Sequence, residues 1–152
     1  MNNIRIDDCS VLVTIPVQWR DLDALQHVNN AEYVKWFESA RIIALQDLGL
    51  LDANGGVMSH LSVGPILASI SATYLRPVTF PDTVRVGCYP TRVGRSSFDL
   101  NYIVWSNEQA AVVAEGHSVI VNYDYKEQKS SPLSHAVVNQ LSNALGDFSE
   151  PS

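Results

Sequence analysis

The sequence predicts an α+β fold, one long central helix wrapped by an antiparallel sheet of about five strands. Three observations carry this expectation. Apolar residues recur at helical spacing from Asn30 to Leu48, the apolar period changes to two beyond residue 65, and turn-forming residues break that later stretch into strand-length pieces. At 152 residues the chain is expected to be a single domain, 1–152. No internal repeat or low-complexity segment divides it. Its body spans about residues 10–146, and the polar ends, 1–8 and 147–152, read as loose.

Taken in order, a first strand reads from Ser10 to Arg20, with Val11, Val13, Ile15 and Val17 on one face. Pro16 removes a ladder donor, which suits an edge or a bend. In the long helix Tyr33, Phe37, Ala40, Ala44 and Leu48 form the stripe, with Asn29 and Glu32 at capping positions and Gly49 as the stop. Val34, Trp36 and Ile42 widen the apolar surface, so the helix is expected to be enclosed on most sides, with Glu38 and Arg41 paired on its surface. Residues 51–65 read as a loop around Asn54-Gly55-Gly56. Strands follow at about 66–76, 83–93, 96–106 and 110–125, an antiparallel meander turned at Gly94-Arg95 and Ser106-Asn107-Glu108. A short amphipathic segment at about 134–145 reads as a last helix. A sheet packed around a single helix is the arrangement called a hotdog.

Composition narrows the function classes. The chain carries 10 Lys and Arg against 16 Asp and Glu, a formal net charge of −6. That sign argues against coating nucleic acid or an anionic membrane, so an anionic ligand must meet local cations. No apolar run reaches the roughly 20 residues of a membrane helix, and membrane insertion is not expected. The two cysteines, Cys9 and Cys88, form no recognised spacing and no leader pattern opens the chain, which points to a cytoplasmic setting. One small sheet leaves both helix surface and strand edges uncovered, so a homodimer or homotetramer is expected.

The densest polar cluster runs from Trp19 to Asn30, between the first strand and the long helix. Asp21 and Asp23 are turn formers, Asn29 and Asn30 are capping types, and His27 fits a packed loop position. Placement adds a chemical reading. A helix N-terminus presents backbone N–H groups and partial positive charge, which stabilise an anion or a developing oxyanion. Asp21, Asp23 and His27 also suit a divalent cation, but His60, His117 and His135 are scattered, and no metal site is expected.

The motif Asp21-Leu22-Asp23, His27-Val28-Asn29-Asn30, then Tyr33, Phe37-Glu38 and Ala40-Arg41, resembles the hotdog acyl-CoA thioesterases of the 4-hydroxybenzoyl-CoA thioesterase type. Similarity continues through Tyr74-Leu75-Arg76-Pro77-Val78, Pro81-Asp82 and Arg92 to Phe98, covering roughly residues 11–125. The archetype's glycine before the histidine is Gln26 here. The plant acyl-ACP thioesterases look similar, but the Asn they carry two residues before the histidine is Leu25, so an Asn–His–Cys site through Cys88 is not implied. The resemblance implies hydrolysis of an acyl-CoA to free acid and CoA, with Asp23 as base or nucleophile. On this reading His27 positions water or substrate, and the helix start at Asn29 and Asn30 is the oxyanion hole. Tyr33 is the best acyl-pocket candidate on the helix, beside Trp36 and Phe37, which also read as core. Arg92, Arg95 and Ser96, flanking Gly94, are candidates for the CoA phosphates. No cofactor is implied, since coenzyme A arrives as part of the substrate. A non-catalytic acyl-CoA-binding or regulatory protein, an acyl-ACP thioesterase and a hydratase are the competing readings.

Overall fold

The spacing that starts at Asn30 is realised as α1, Asn30–Asp47. The Asn29 side chain accepts the Ala31 N–H at 3.0 Å, the capping bond expected of it. Gly49, at φ +74°, turns the chain away in the left-handed conformation that glycine adopts freely. The computed structural model describes residues 4–58 and 62–146. Its strands are β1 (Val11–Pro16), β2 (Val63–Tyr74), β3 (Thr83–Val93), β4 (Ser97–Ser106), β5 (Ala111–Asp124) and the two-residue β6 (Lys129–Ser130), followed by α2 (His135–Gly146).

The sheet is antiparallel with strand order β1-β3-β4-β5-β2, and β6 pairs with the end of β5. The expected meander holds for β3, β4 and β5 only. β2 does not pair with β3 but lies at the far edge against β5, with Tyr74 opposite Ala114 and Val63 opposite Asp124. The connection at 75–82 is too long and proline-rich for a tight hairpin, and it crosses the end of the sheet instead. Its Val78 carbonyl accepts the Val28 N–H at 2.8 Å and its Asp82 carbonyl accepts the Val17 N–H at 2.9 Å. β1 is the other edge strand, and it ends at Pro16.

The concave face carries the core. Val84, Val86 and Cys88 on β3 and Phe98, Leu100, Tyr102 and Val104 on β4 lie beneath α1 and are buried. Tyr102 stands opposite Gly116 on β5, and Phe37 of α1 stacks on Tyr102 at 4.8 Å between ring centroids. A Cβ at Gly116 would lie 2.6 Å from the Phe37 ring, so glycine there is what lets the helix approach the sheet.

Glu38 and Arg41 pair as expected, at 3.6 Å, but only Glu38 lies on the surface: Arg41 is buried at 6% exposure and reaches the Tyr102 hydroxyl at 3.4 Å. The helix is also less enclosed than expected. Lys35, Glu38, Ser39, Ile43 and Asp47 are exposed, because a single curved sheet covers only the side it faces. The N-terminal segment departs from a loose end in its described part. Ile6 packs beside Tyr89 and Ile103 on the outer sheet face, and Asp7 pairs with Arg85 at 2.9 Å.

Candidate active site

The polar segment between β1 and α1 folds as a single turn of 3-10 helix, Trp19–Asp21, and then a small hairpin. Leu22 and Val28 form an antiparallel bridge, and inside it the Asp23 N–H donates to the His27 carbonyl at 2.8 Å. The Asp23 carboxylate closes the loop from within. Its Oδ1 accepts the Leu25 N–H at 2.9 Å and the His27 N–H at 3.4 Å, the hydrogen-bonded turn that aspartate favours. Asp23 and His27 are both exposed. One carboxylate oxygen is therefore anchored, and Oδ2 makes no hydrogen bond among the described residues.

Asp21 has a different task. Its Oδ2 accepts the Gln18 N–H at 2.8 Å and its carbonyl accepts the Asn29 N–H at 2.8 Å, so it ties the turn to the helix start. The archetype's glycine position also has a physical explanation. Gln26 adopts φ +59°, a left-handed conformation that glycine occupies without strain.

At the helix start, Asn29 caps Ala31 and the Tyr74 hydroxyl donates to the Asn30 carbonyl at 3.1 Å. The Asn30 N–H has no partner among the described residues. Loss of the cap is expected to be measurable. Asn29→Ala should cost about 1 kcal/mol of stability, read by urea titration, because one terminal N–H loses its acceptor.

Tyr33, read as an acyl-pocket wall, is instead core. It is 2% exposed, with its ring against Trp36 at 4.8 Å and Tyr74 at 4.9 Å, and burial pushes its hydroxyl up to about 12. Trp36 and Phe37 are buried as well, Phe37 stacked on Tyr102 of the sheet and Trp36 beside Tyr33, with its remaining exposed edge in the cleft that Gln18, Arg20 and Asp21 line.

The arginines stand apart. Arg92 donates from Nε to Asp99 Oδ1 at 2.9 Å and from Nη2 to Ser97 Oγ at 2.8 Å. Burial works to raise the Asp99 carboxyl, but hydrogen bonds from Arg92 and His117 outweigh it and hold it below the usual carboxylate range. Arg95 is exposed and Ser96 half-buried in the turn between β3 and β4. That turn lies at the opposite end of β3 from Thr83, beside which the Asp23 loop docks. At about 3.3 Å per residue the two ends are roughly 30 Å apart. Within one chain, Arg92, Arg95 and Ser96 therefore lie a strand's length from the Asp23 loop, with β3 between them.

Neither thiol fits a nucleophile's role. Burial pushes Cys9 up to about 12 and drives Cys88 higher still. Among the described residues no three His, Cys, Asp or Glu side chains gather as a metal site, and His60 lies outside them. A cavity of about 520 Å³ opens on the outer sheet face, lined in part by Tyr89, Asn101, Glu115 and His117, but no helix N-terminus and no signature residue meets it. Two smaller clefts flank the Asp23 loop itself. Trp19 and Phe80, which line one of them, carry no periodic or motif signal in the sequence, and only their exposure beside His27 marks them.

A single long helix on a curled antiparallel sheet, with a carboxylate loop leading into the helix N-terminus, defines a hotdog protein of the thioesterase kind. Residues 17–141 match the thioesterase-like superfamily, and the chain belongs to it. It is 28% identical over 119 residues to the long-chain acyl-CoA thioesterase FadM of Escherichia coli K12, an overlap of 78% of this chain and 87% of that one. Among solved structures, the PA2801 protein of Pseudomonas aeruginosa is 32% identical with a TM-score of 0.74, covering 88% of this chain and 98% of its own. A Thermus thermophilus thioesterase complexed with coenzyme A and Zn is 29% identical with a TM-score of 0.74, covering 92% and 98%. The chain is a thioester hydrolase.

Proposed function

We propose that the chain hydrolyses acyl-CoA to free acid and CoA, in the manner of the 4-hydroxybenzoyl-CoA thioesterase type, with Asp23 carrying the chemical step. The observation behind this is the Asp23 carboxylate, anchored through Oδ1 and with Oδ2 left open, in the loop that leads directly into the N-terminus of α1. A thioester needs little more. Its thiolate leaving group has a pKa near about 8.5, so it departs without a strong acid. The Asn30 N–H and the partial positive charge of α1 polarise the carbonyl. Asp23 then takes a proton from water as it attacks, or attacks the carbonyl itself to form an anhydride that water opens. The FadM relative and the CoA-bound Thermus relative favour CoA over an acyl carrier protein. Release of free thiol from a panel of aliphatic and aromatic acyl-CoAs tests the reading. Stoichiometric binding without turnover would instead mark a non-catalytic acyl-CoA binder.

His27 is assigned to positioning, with no metal and no other cofactor. On this assignment activity survives exhaustive chelation, and His27→Ala loses about 10- to 10³-fold in kcat. Loss to a chelator and recovery with a divalent metal would instead unite Asp21, Asp23 and His27 around an ion.

The working unit is a homodimer, or a homotetramer of such dimers, and the cytoplasm is its proposed setting. No helix among the described residues is long and apolar enough to cross a membrane. The twelve-residue β2 is an open edge, with Leu67 at 40% exposure, the kind of strand that natural proteins cover. Its Tyr74 end lies at the Asp23 site and its Val63 end near the Arg95 turn. Two β2 strands paired antiparallel would bring the Arg92, Arg95 and Ser96 turn of one protomer toward Asp23 of the other. The double variant Arg92→Ala/Arg95→Ala is then expected to raise KM and flatten its salt dependence while sparing kcat. Mixing that variant with Asp23→Asn should restore one intact site in each hybrid dimer, whereas sites built from one chain would show no such recovery.

A further inference from the structure

The turn between β3 and β4 is built around one side chain. Strand pairing sets Pro90 opposite Leu100 and Arg92 opposite Asp99, so Thr91 is an extra residue, a β-bulge. Without it the alternation of β3 would send Arg92 to the core face, and the bulge turns it outward beside Asp99. The guanidinium is then held along one edge. Its Nε and Nη2 meet Asp99 Oδ1 at 2.9 and 2.8 Å, and Nη2 also donates to Ser97 Oγ at 2.8 Å. Asp99 is itself fixed, because its other oxygen, Oδ2, accepts from His117 Nε2 on β5 at 2.9 Å. The opposite edge of the guanidinium is open. Nη1 makes no hydrogen bond among the described residues and lies over Gly94, where a Cβ would come within 2.6 Å of it. The backbone beneath is equally set. The Gly94 N–H donates to the Ser97 carbonyl at 2.7 Å, and the Arg95 and Ser96 carbonyls accept from the Leu133 and Asn122 N–H groups at 2.9 and 2.8 Å.

We propose that Asp99 and His117 are positioning residues for the coenzyme A phosphates, which rests on the reading of Arg92 above: they act through Arg92, holding its Nη1 edge turned to the ligand. The two arginines of the turn are thereby distinguished. Arg95 is exposed and makes no ion pair among the described residues, whereas Arg92 is clamped. A partly exposed pair of this kind, with Arg92 at 47% and Asp99 at 14%, contributes little to stability. Its effect lies in order. A free arginine gives up rotamer freedom when a phosphate binds, at a cost of about two- to tenfold in affinity, and a guanidinium already clamped has lost that freedom beforehand. The clamp has an electrostatic drawback. Asp99 cancels a positive charge beside an anionic ligand, in a chain whose net charge is already −6. If attraction alone mattered, removing Asp99 would tighten binding. Charge and position therefore act in opposite directions at this one residue, and substitution can separate them.

The test is the Kd of free CoA by titration calorimetry, with KM and kcat from thiol release, for Asp99→Asn, Asp99→Ala and His117→Ala. Melting curves check that each variant is folded. Asparagine and alanine remove the same charge, but only asparagine leaves an acceptor for Arg92 Nε, so the ratio of their Kd values reads position alone. Asp99→Ala should bind CoA about two- to tenfold more weakly than Asp99→Asn, with the difference falling on KM and not on kcat. His117→Ala, which lets Asp99 turn, should raise Kd in the same direction. In an Arg92→Ala background the ratio should vanish, since no guanidinium is left to aim. Equal Kd values for the asparagine and alanine variants would overturn the inference, and an unmoved Kd in His117→Ala would remove His117 from it. A ratio that persists without Arg92 would also overturn it, because Asp99 would then be holding the hairpin and not the guanidinium. Wild-type affinity for CoA in Arg92→Ala itself would instead overturn the parent reading of Arg92 as a phosphate ligand.

Discussion

Asp23→Asn is expected to lower kcat by about 10²–10⁴ with little change in KM, the pattern left by removing a group needed only in the transition state. The substitution is a clean one here. The loop uses Asp23 as an acceptor, Oδ1 taking the Leu25 and His27 N–H groups, and an asparagine carbonyl can take both. What the variant loses is the negative charge and the basicity of the second oxygen. Asp21→Asn should do much less, since the Asp21 carboxylate is spent on the Gln18 N–H. Single-turnover and steady-state thiol release would separate the two, and near-wild-type turnover in Asp23→Asn would remove the residue from the mechanism.

The largest expected loss of stability lies at the contact between helix and sheet. Phe37→Ala should cost about 3–5 kcal/mol, because a fully buried ring stacked on Tyr102 leaves a cavity that the rigid sheet cannot collapse to fill. Gly116→Ala should cost about 1–3 kcal/mol by the opposite fault, overpacking, with its new methyl 2.6 Å from the Phe37 ring. The two faults are complementary, so Phe37→Leu/Gly116→Ala should be more stable than the sum of its single variants predicts. Urea titration of the four proteins would show it, and strict additivity would mean that helix and sheet shift apart freely.

Much of the fold was legible because its signals are local. The stripe from Tyr33 to Ala44, the Asn29 cap and the Gly49 stop act within a few residues of one another, and they place α1 at Asn30–Asp47 whatever else the chain does. The change to period two announces β3, β4 and β5, whose connections are short enough to force neighbours in sequence to be neighbours in the sheet. The site segment was legible for a similar reason. Asp23 and His27 are four residues apart, and a single hairpin brings them together.

The sequence by itself therefore determined the central helix, the strand-forming segments and a carboxylate loop at a helix N-terminus. Only the tertiary structure decided that β2 crosses to the far edge, that Tyr33 faces the core, and that Arg92 and Arg95 lie a strand's length from Asp23. It alone gathered Trp19, Leu25 and Phe80, as much as 61 residues apart in sequence, around one cleft. The physical reason is range: capping, turn and periodicity preferences act across a few residues, whereas the pairing of distant strands and the direction a ring faces are set by which apolar surfaces can be buried together once the whole chain has closed.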